Sequence, residues 1–354
     1  MTPRERYLAA LAGQMPDRVP FVIWNNKLPG GDIDRQLLEL QACIVNKSTV
    51  YRLTTPDIQI ETEHLESKDG LPRMRKTYHT PAGALSTIQR LCPGSTWLEK
   101  MPFTGPEDYE PLEVFIHSKV YTPCYHDFLK DDRKYGDQSI ARPETIYTPI
   151  QDLICKYMGV EAFCVEWADR RNRLLKLCDV IAEDRRKRLK LVAASPARFA
   201  VIEGNVIPDV IGPQRFEKYH IPHIEEACEI LHSNGKWAGA HLDANNKIIA
   251  HLVAKTSLDL IESFTPPPDC NLPLPEAHRL WPEKTIQINF PSSVHLRGPE
   301  QVQKTAADIL KQAAPGSRFV VGISEDISGR GVDTLVPLAQ TIHDLGQTPL
   351  RPPS

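Results

Sequence analysis

The chain lacks the signals that would make it a stapled, secreted, membrane-spanning or nucleic-acid-binding protein. Its eight cysteines, at 43, 92, 124, 155, 164, 178, 228 and 270, are scattered and form no Cys-x-x-Cys pair. That spacing excludes a zinc knuckle and a disulfide framework. Net positive charge is also missing: 42 Lys and Arg against 45 Asp and Glu leave −3. Electrostatics therefore give no case for nucleic acid or an anionic membrane. No run approaches the ~18 apolar residues of a membrane span. The opening Met1-Thr2-Pro3-Arg4-Glu5-Arg6 is charged and has no apolar stretch, so it does not read as a signal peptide. No Gly-x-Gly-x-x-Gly follows the first apolar run, which disfavours a dinucleotide-binding sheet. A reduced, cytoplasmic protein is the expectation.

What is present is a regular alternation. The 354 residues, 41% hydrophobic and 25% charged, suffice for a substantial core. Thr2, Pro3 and Glu5 form a capping box that opens a first helix. Phe21–Trp24 reads as the first strand, followed by Asn25 and Asn26 and a helix over Asp34–Ile44. Residues 58–98 alternate in period two and carry turn residues, as a small antiparallel insertion after the first strand would. A helix within Pro106–Ser118 and a loop lead to Glu144–Tyr147. Helical zones then cover Ile150–Met158, Val160–Asp169 and Arg170–Lys190. Within the last, Arg185-Arg186-Lys187-Arg188 reads as a solvated face near a helix C-terminus.

Five apolar strands follow, each trailed by a helix. Arg198–Ile202 ends at Glu203-Gly204-Asn205, Trp237–Ala240 at His241, Leu258–Ile261 at Glu262, Thr285–Ile288 at Asn289, and Phe319–Ile323 at Ser324-Glu325-Asp326. About eight strand–helix units with one β insertion predict a single (β/α)8 TIM barrel over residues 1–354, with a doubly wound open sheet as the alternative.

In such a barrel the strand ends carry the chemistry. Residues two apart on a strand share a face, so His241, Asp243 and Asn245 leave one strand end together. Two chemistries fit. His241 and Asp243 could hold Zn²⁺ with an open position for a Lewis-acid role. Without a metal, Asp243 or Glu325 becomes a buried general acid/base partnered by His241. The plainer alternative is that these polar groups cap helices and satisfy loop amides. Asn25, Glu203, Asn205, Asn245 and Asn289 are expected to line the pocket, while Glu262 fits a buried acceptor beside a Pro-rich loop. Cys270 could approach the site but reads more simply as a small packed residue. His220 and His223 fit packing or surface roles on a helix.

Several stretches together resemble the uroporphyrinogen decarboxylase superfamily. They are Thr2-Pro3-Arg4-Glu5-Arg6 through Pro16-Asp17-Arg18-Val19-Pro20, Phe216-Glu217-Lys218-Tyr219 with Ile221-Pro222-His223, His241-Leu242-Asp243-Ala244-Asn245, Ile261 to Pro268, and Gly322-Ile323-Ser324-Glu325-Asp326. The resemblance implies a barrel with its cleft at the strand C-termini. Cofactor-free decarboxylases of the superfamily carry an Arg-rich segment after the first strand. Here Trp24 to Gly31 contains no arginine, so recognition of a tetrapyrrole's many carboxylates is disfavoured.

The other branch, the corrinoid-linked methyltransferases, exchanges a methyl group with a cobalamin, usually on a partner protein. Its thiol-methylating members bind zinc through His-x-Cys and a distant Cys. His241 matches the His, Asp243 stands at the Cys position, and Glu325 lies near the region of the distant ligand. The resemblance thus implies a methyltransferase or demethylase acting on a small O- or N-methyl compound. Zinc and a partner-borne cobalamin are the implied cofactors. A corrinoid protein and a second copy of the chain, as a homodimer, are the implied partners. A cofactor-free decarboxylase and a barrel that only binds a ligand remain the alternatives.

Overall fold

A computed structural model describes residues 1–92, 95–327 and 329–352. Two compact units emerge: Met1–Val50 with Cys124–Thr145 and the chain from Val192 onward, and Tyr51–Pro123 with Ile146–Leu191. Among the described residues no helix is long and apolar enough to cross a membrane.

The first unit holds eight parallel strands: Phe21–Trp24, Cys43–Ser48, Ser139–Pro143, Phe199–Gly204, Trp237–His241, Leu260–Phe264, Thr285–Asn289 and Phe319–Ile323. Each pairs with the next in this order except the third with the fourth, and the first also pairs with the eighth, with Val22 opposite Gly322. The fourth and third strands flank the remaining seam. Sequential pairing that joins first to last is the barrel expected from the alternation, not the doubly wound sheet. The strands are buried almost throughout, as strands covered by side chains within and helices without must be.

The helix Pro3–Leu11 has the expected capping box between Thr2 and Glu5. It closes the barrel's N-terminal end. Tyr7 enters the core formed by Val22, Val45, Ile140, Phe199, Leu260 and Val320, and its hydroxyl donates to Gln287 Oε1 at 2.7 Å. A second tie runs from Thr285 Oγ1 to the Ala10 carbonyl at 2.8 Å.

Two strands lie where the sequence pointed elsewhere. The helix expected to reach Ile44 is Gly31–Glu39, and Cys43–Ser48 is the second barrel strand. The chain turns at Gln41, whose φ of 66° lies in the left-handed region, and the apolar Cys43-Ile44-Val45 run then extends. The third strand, Ser139–Pro143, lies just upstream of Glu144–Tyr147. The antiparallel insertion therefore enters after the second barrel strand, one strand later than expected.

The second unit contains that insertion. Strands Gln59–Lys68, Leu71–Thr80, Gly83–Cys92 and Ser95–Lys100 form an antiparallel meander. Its first hairpin turns at Asp69-Gly70, both with positive φ, the geometry that matches strand twist in a two-residue turn. Tyr51–Thr54 pairs with Val120–Pro123. The basic run at 185–188 is only partly solvated. Arg185 and Arg188 are buried, with Arg185 Nε donating to the Tyr147 carbonyl at 2.9 Å and Arg188 Nη2 to Asp152 at 2.8 Å. Acceptors on packed elements override the surface reading of a charge run.

Candidate active site at the barrel mouth

Residues that pair across parallel strands face the same side, and His241 pairs with Glu262 on the neighbouring strand. The same strand carries a bulge just beyond Glu262. Between Ile261 and Phe264 the sixth strand carries one residue more than the seventh, and Ser263 takes it up with a φ of 59°. A buried side chain in the left-handed region is uncommon and costs of order 1 kcal/mol or more. Its hydroxyl bonds to Ser324 Oγ at 2.8 Å, which ties the sixth strand's exit to the eighth's.

His241 sits between two carboxylates. Its Nδ1 is 3.2 Å from Glu262 Oε2 and its Nε2 is 3.3 Å from Asp243 Oδ2. Burial alone would lower the imidazole, but the hydrogen bonds to Asp243 and Glu262 outweigh it and raise its pKa to about 8. His241 is therefore an imidazolium at neutral pH. Glu262 is fully buried and meets Arg142, with Nε 2.9 Å from Oε1 and Nη2 3.1 Å from Oε2. Burial would push the Glu262 carboxyl up; Arg142 reverses this, with His241 and Lys47 adding, and it lies below the usual range.

Trp24 joins these groups. Its ring centroid is 5.4 Å from that of His241, 5.3 Å from the Arg142 guanidinium carbon and 3.2 Å from Lys47 Nζ. Lys47 is exposed, yet protein crowds it enough that desolvation, then repulsion from Arg142, pulls its ammonium down to about 7. Glu325 accepts from Ser292 Oγ at 3.1 Å. Partial burial and the nearby Asp243 charge raise its pKa above the usual carboxylate range, although Ser292 opposes this.

Of the residues singled out in the sequence, His241, Asp243 and Glu325 share one electrostatic cluster with Glu262. Others lie elsewhere. Glu203 is fully buried against the helix layer, its Oε2 2.9 Å from His220 Nδ1 and its Oε1 accepting from the Gly204 amide at 2.9 Å. A register shift between Val201 and Gly204 explains this: Gly204, not Glu203, pairs with His241. Asn289 Oδ1 accepts from Ser324 N at 2.9 Å and Ser324 Oγ at 3.0 Å, so that amide holds two strand ends together. Asn205 and Asn245 are exposed, the former at a φ of 52°. Asn25 is half-buried in a short 3₁₀ turn. His220 has the packing role expected of it. Cys270 does reach the site, with Sγ 3.2 Å from the Asp243 carbonyl, but burial raises the thiol to about 11 and keeps it protonated.

Sequence reasoning missed Lys47, Arg142 and Trp24. The signal for Arg142 was available: a lone arginine ends the apolar Ile140-Ala141 pair and precedes Pro143, which terminates the strand.

The donors do not fit zinc. Both ring nitrogens of His241 are engaged by carboxylates, so a metal at either nitrogen would have to displace the Asp243 or Glu262 contact. Glu262 is held by Arg142. Among the described residues no three His, Cys, Asp or Glu side chains converge as a metal set. At the N-terminal end of the strands lies a cleft of about 850 Å³ lined by Met1, Arg35 and Gln138. Its carboxylates, Glu5, Glu39 and Asp137, are exposed, so size alone does not make it the chemical site.

The fold and this cluster define a (β/α)8 barrel with an acid–base constellation at its C-terminal mouth. The chain belongs to the uroporphyrinogen decarboxylase (URO-D) family, whose model matches residues 152–331. The superfamily consists of enzymes and includes decarboxylases and corrinoid methyltransferases. No curated protein matches the chain. Among solved structures, the tandem GH20 catalytic modules of the pneumococcal exo-β-D-N-acetylglucosaminidase StrH align at 8% identity over 97% of this chain and 87% of theirs, with a TM-score of 0.39. A second StrH structure, from work on N-glycan recognition and hydrolysis, aligns at 8% identity over 94% and 85%, with a TM-score of 0.36. Similarity at that level carries no functional argument.

Proposed function

We propose that this chain transfers a methyl group from a small O- or N-methyl compound to a corrinoid carried by another protein, with His241 as the acid. The observation that supports it is the clamp on His241 by Asp243 and Glu262, which keeps the imidazole charged at neutral pH. An alkoxide, phenoxide or amide ion is a poor leaving group; a proton delivered as the bond to carbon breaks removes that obstacle. The carrier would supply the electron pair that takes the methyl carbon. The C–O or C–N electrons stay on the heteroatom, and the His241 proton joins it. Asp243 is the more exposed of the two partners, so a substrate atom reaches Nε2 from its side. Glu325, protonated more readily than an ordinary carboxyl, is a second acid at the same mouth. Zinc is not needed for this step, and the donor geometry does not suit it.

One observation favours a cofactor-free decarboxylase of a small carboxylate as the second reading. Trp24 Nε1 is a buried donor with no acceptor among the described residues, and Lys47 lies over the same ring. Together they could receive a carboxylate. Arg142 cannot serve a many-carboxylate tetrapyrrole, because Glu262 already occupies it.

The test incubates the purified chain with reduced cobalamin and a panel of methoxyarenes and methylamines, and in parallel with small carboxylic acids. Demethylated product lost on His241→Gln, with no CO₂ released, supports methyl transfer. CO₂ release without a corrinoid overturns it.

A further inference from the structure

We propose that Lys47 is a nucleophilic amine that captures a small aldehyde or ketone as an imine at the barrel mouth. The inference goes beyond methyl transfer and does not depend on it.

The protein's other crowded lysines all have hydrogen-bond partners. Lys236 Nζ donates to the Ser195 and Ala197 carbonyls, both at 2.7 Å. Lys284 Nζ donates to Thr256 and Leu258 carbonyls at 2.5 and 3.0 Å. Lys119 Nζ donates to Tyr157 Oη at 2.5 Å. Each of these amines stitches chain segments together, and its nitrogen is engaged. Lys47 has no hydrogen-bond or ion-pair partner among the described residues; its Nζ rests over the Trp24 ring at 3.2 Å. A π face attracts the cation but leaves the nitrogen open to a ligand.

The surroundings favour the neutral amine. Desolvation leads, and Arg142 on the third strand and Lys27 in the turn after the first oppose a further positive charge, while Glu262 and Glu144 offset this only in part. Glu262 is already committed to Arg142 and His241. Crowding and repulsion together bring the amine to about 7, so roughly half is neutral at physiological pH, against roughly one in a few thousand for an ordinary lysine.

The cluster also contains what imine formation needs next. The amine lone pair attacks the carbonyl carbon, and a proton passes from nitrogen to oxygen to give a carbinolamine. The C–O bond then breaks, the hydroxyl leaves as water with a proton from an acid, and the nitrogen lone pair closes the C=N bond. His241, tilted against the same Trp24 ring with centroids 5.4 Å apart, is that acid. Trp24 Nε1, buried and without an acceptor, is a donor for a polar group on the bound molecule. Lys47 sits on a barrel strand, which holds it more firmly than a loop would.

The experiment treats the full chain with acetaldehyde and sodium cyanoborohydride at pH 7 and follows alkylation by peptide mass mapping. The expected result is labelling of Lys47 on the order of 100-fold faster than of exposed lysines, half-maximal near pH 7. In Lys47→Arg the fast phase disappears, with the fold checked by circular dichroism. Labelling spread evenly over the surface, or a Lys47 rate that keeps rising through pH 9 to 10, overturns the proposal. The pH series on the unmodified protein decides the matter even if the variant does not fold.

Discussion

Arg142 and Glu262 meet at 2.9 and 3.1 Å with at most 1% of either side chain exposed. A charge pair this deep is held by mutual dependence rather than by a large net gain. Removing one partner strands the other, at a typical cost of about 3 kcal/mol or more. Glu262→Gln is expected to lower unfolding free energy by about 3 kcal/mol, read from urea titration, and to lower the His241 pKa as well. Stability within about 0.5 kcal/mol of the parent would show that water reaches Arg142.

The His241 clamp makes stability depend on pH with a definite sign. The folded pKa of about 8 lies above the ordinary 6.5. A raised pKa means the folded state binds the proton more tightly. The stabilisation is therefore full below pH 6.5 and disappears as pH rises through about 8. From the size of that shift it amounts to about 2 kcal/mol. Urea titrations should show the parent's advantage over His241→Gln shrinking by about 2 kcal/mol between pH 6 and pH 9, a comparison that cancels the opposite trend contributed by Lys47.

Activity is expected to follow the same proton. If the imidazolium is the acid, kcat/KM falls about tenfold per pH unit above about 8. Asp243→Asn removes one of the two hydrogen-bonded carboxylates, so the alkaline limb moves toward neutrality. Because Asp243 is partly exposed, stability should change by less than about 1 kcal/mol. An alkaline limb that stays in place in Asp243→Asn would assign it to another group.

Glu203 and His220 provide the contrast. They form a second buried carboxylate–imidazole pair, but behind the strand. Glu203→Gln is expected to destabilise by about 2 kcal/mol through an imperfectly satisfied buried imidazole, while the alkaline limb of activity stays where it is. A displaced limb would place Glu203 in the catalytic proton network.

Metal dependence is a direct check on the donor geometry. Chelator treatment should leave turnover of the chain itself unchanged, and added Zn²⁺ should produce no rise in Tm, because both His241 nitrogens are held by carboxylates. A saturable Tm increase lost in His241→Gln would show that the clamp opens to admit a metal.

These outcomes bear on what a sequence can reveal. The five late strands were legible because each is a continuous apolar run closed by a polar residue, and that rule singled out His241, Asp243 and Glu325, which lie in one cluster. The rule failed at Glu203 because one extra residue reverses which side chain faces the lumen, and a bulge leaves no mark in an apolar pattern. Asn289 was expected at the pocket, and its bonds to Ser324 add a strand-tying role, which a sequence does not separate from a pocket amide. Lys47 and Arg142 were hidden for a different reason. A helix drawn through Ile44 consumed the second strand, and the third, Ser139–Pro143, fell in a stretch read as loop. The pairing of Arg142 with Glu262 spans distant parts of the chain and has no local signature.

The pairing of Val22 with Gly322 has a consequence for biosynthesis. The strand that emerges first from the ribosome waits for a neighbour roughly 300 residues behind it, about 15 to 60 seconds at ordinary elongation rates. Until then Phe21–Trp24 has an unsatisfied edge, and Trp24 lacks the enclosure that the finished cylinder provides. Nascent chains of this protein should therefore engage chaperones early, and truncations that omit Phe319–Ile323 should aggregate rather than yield a smaller working enzyme.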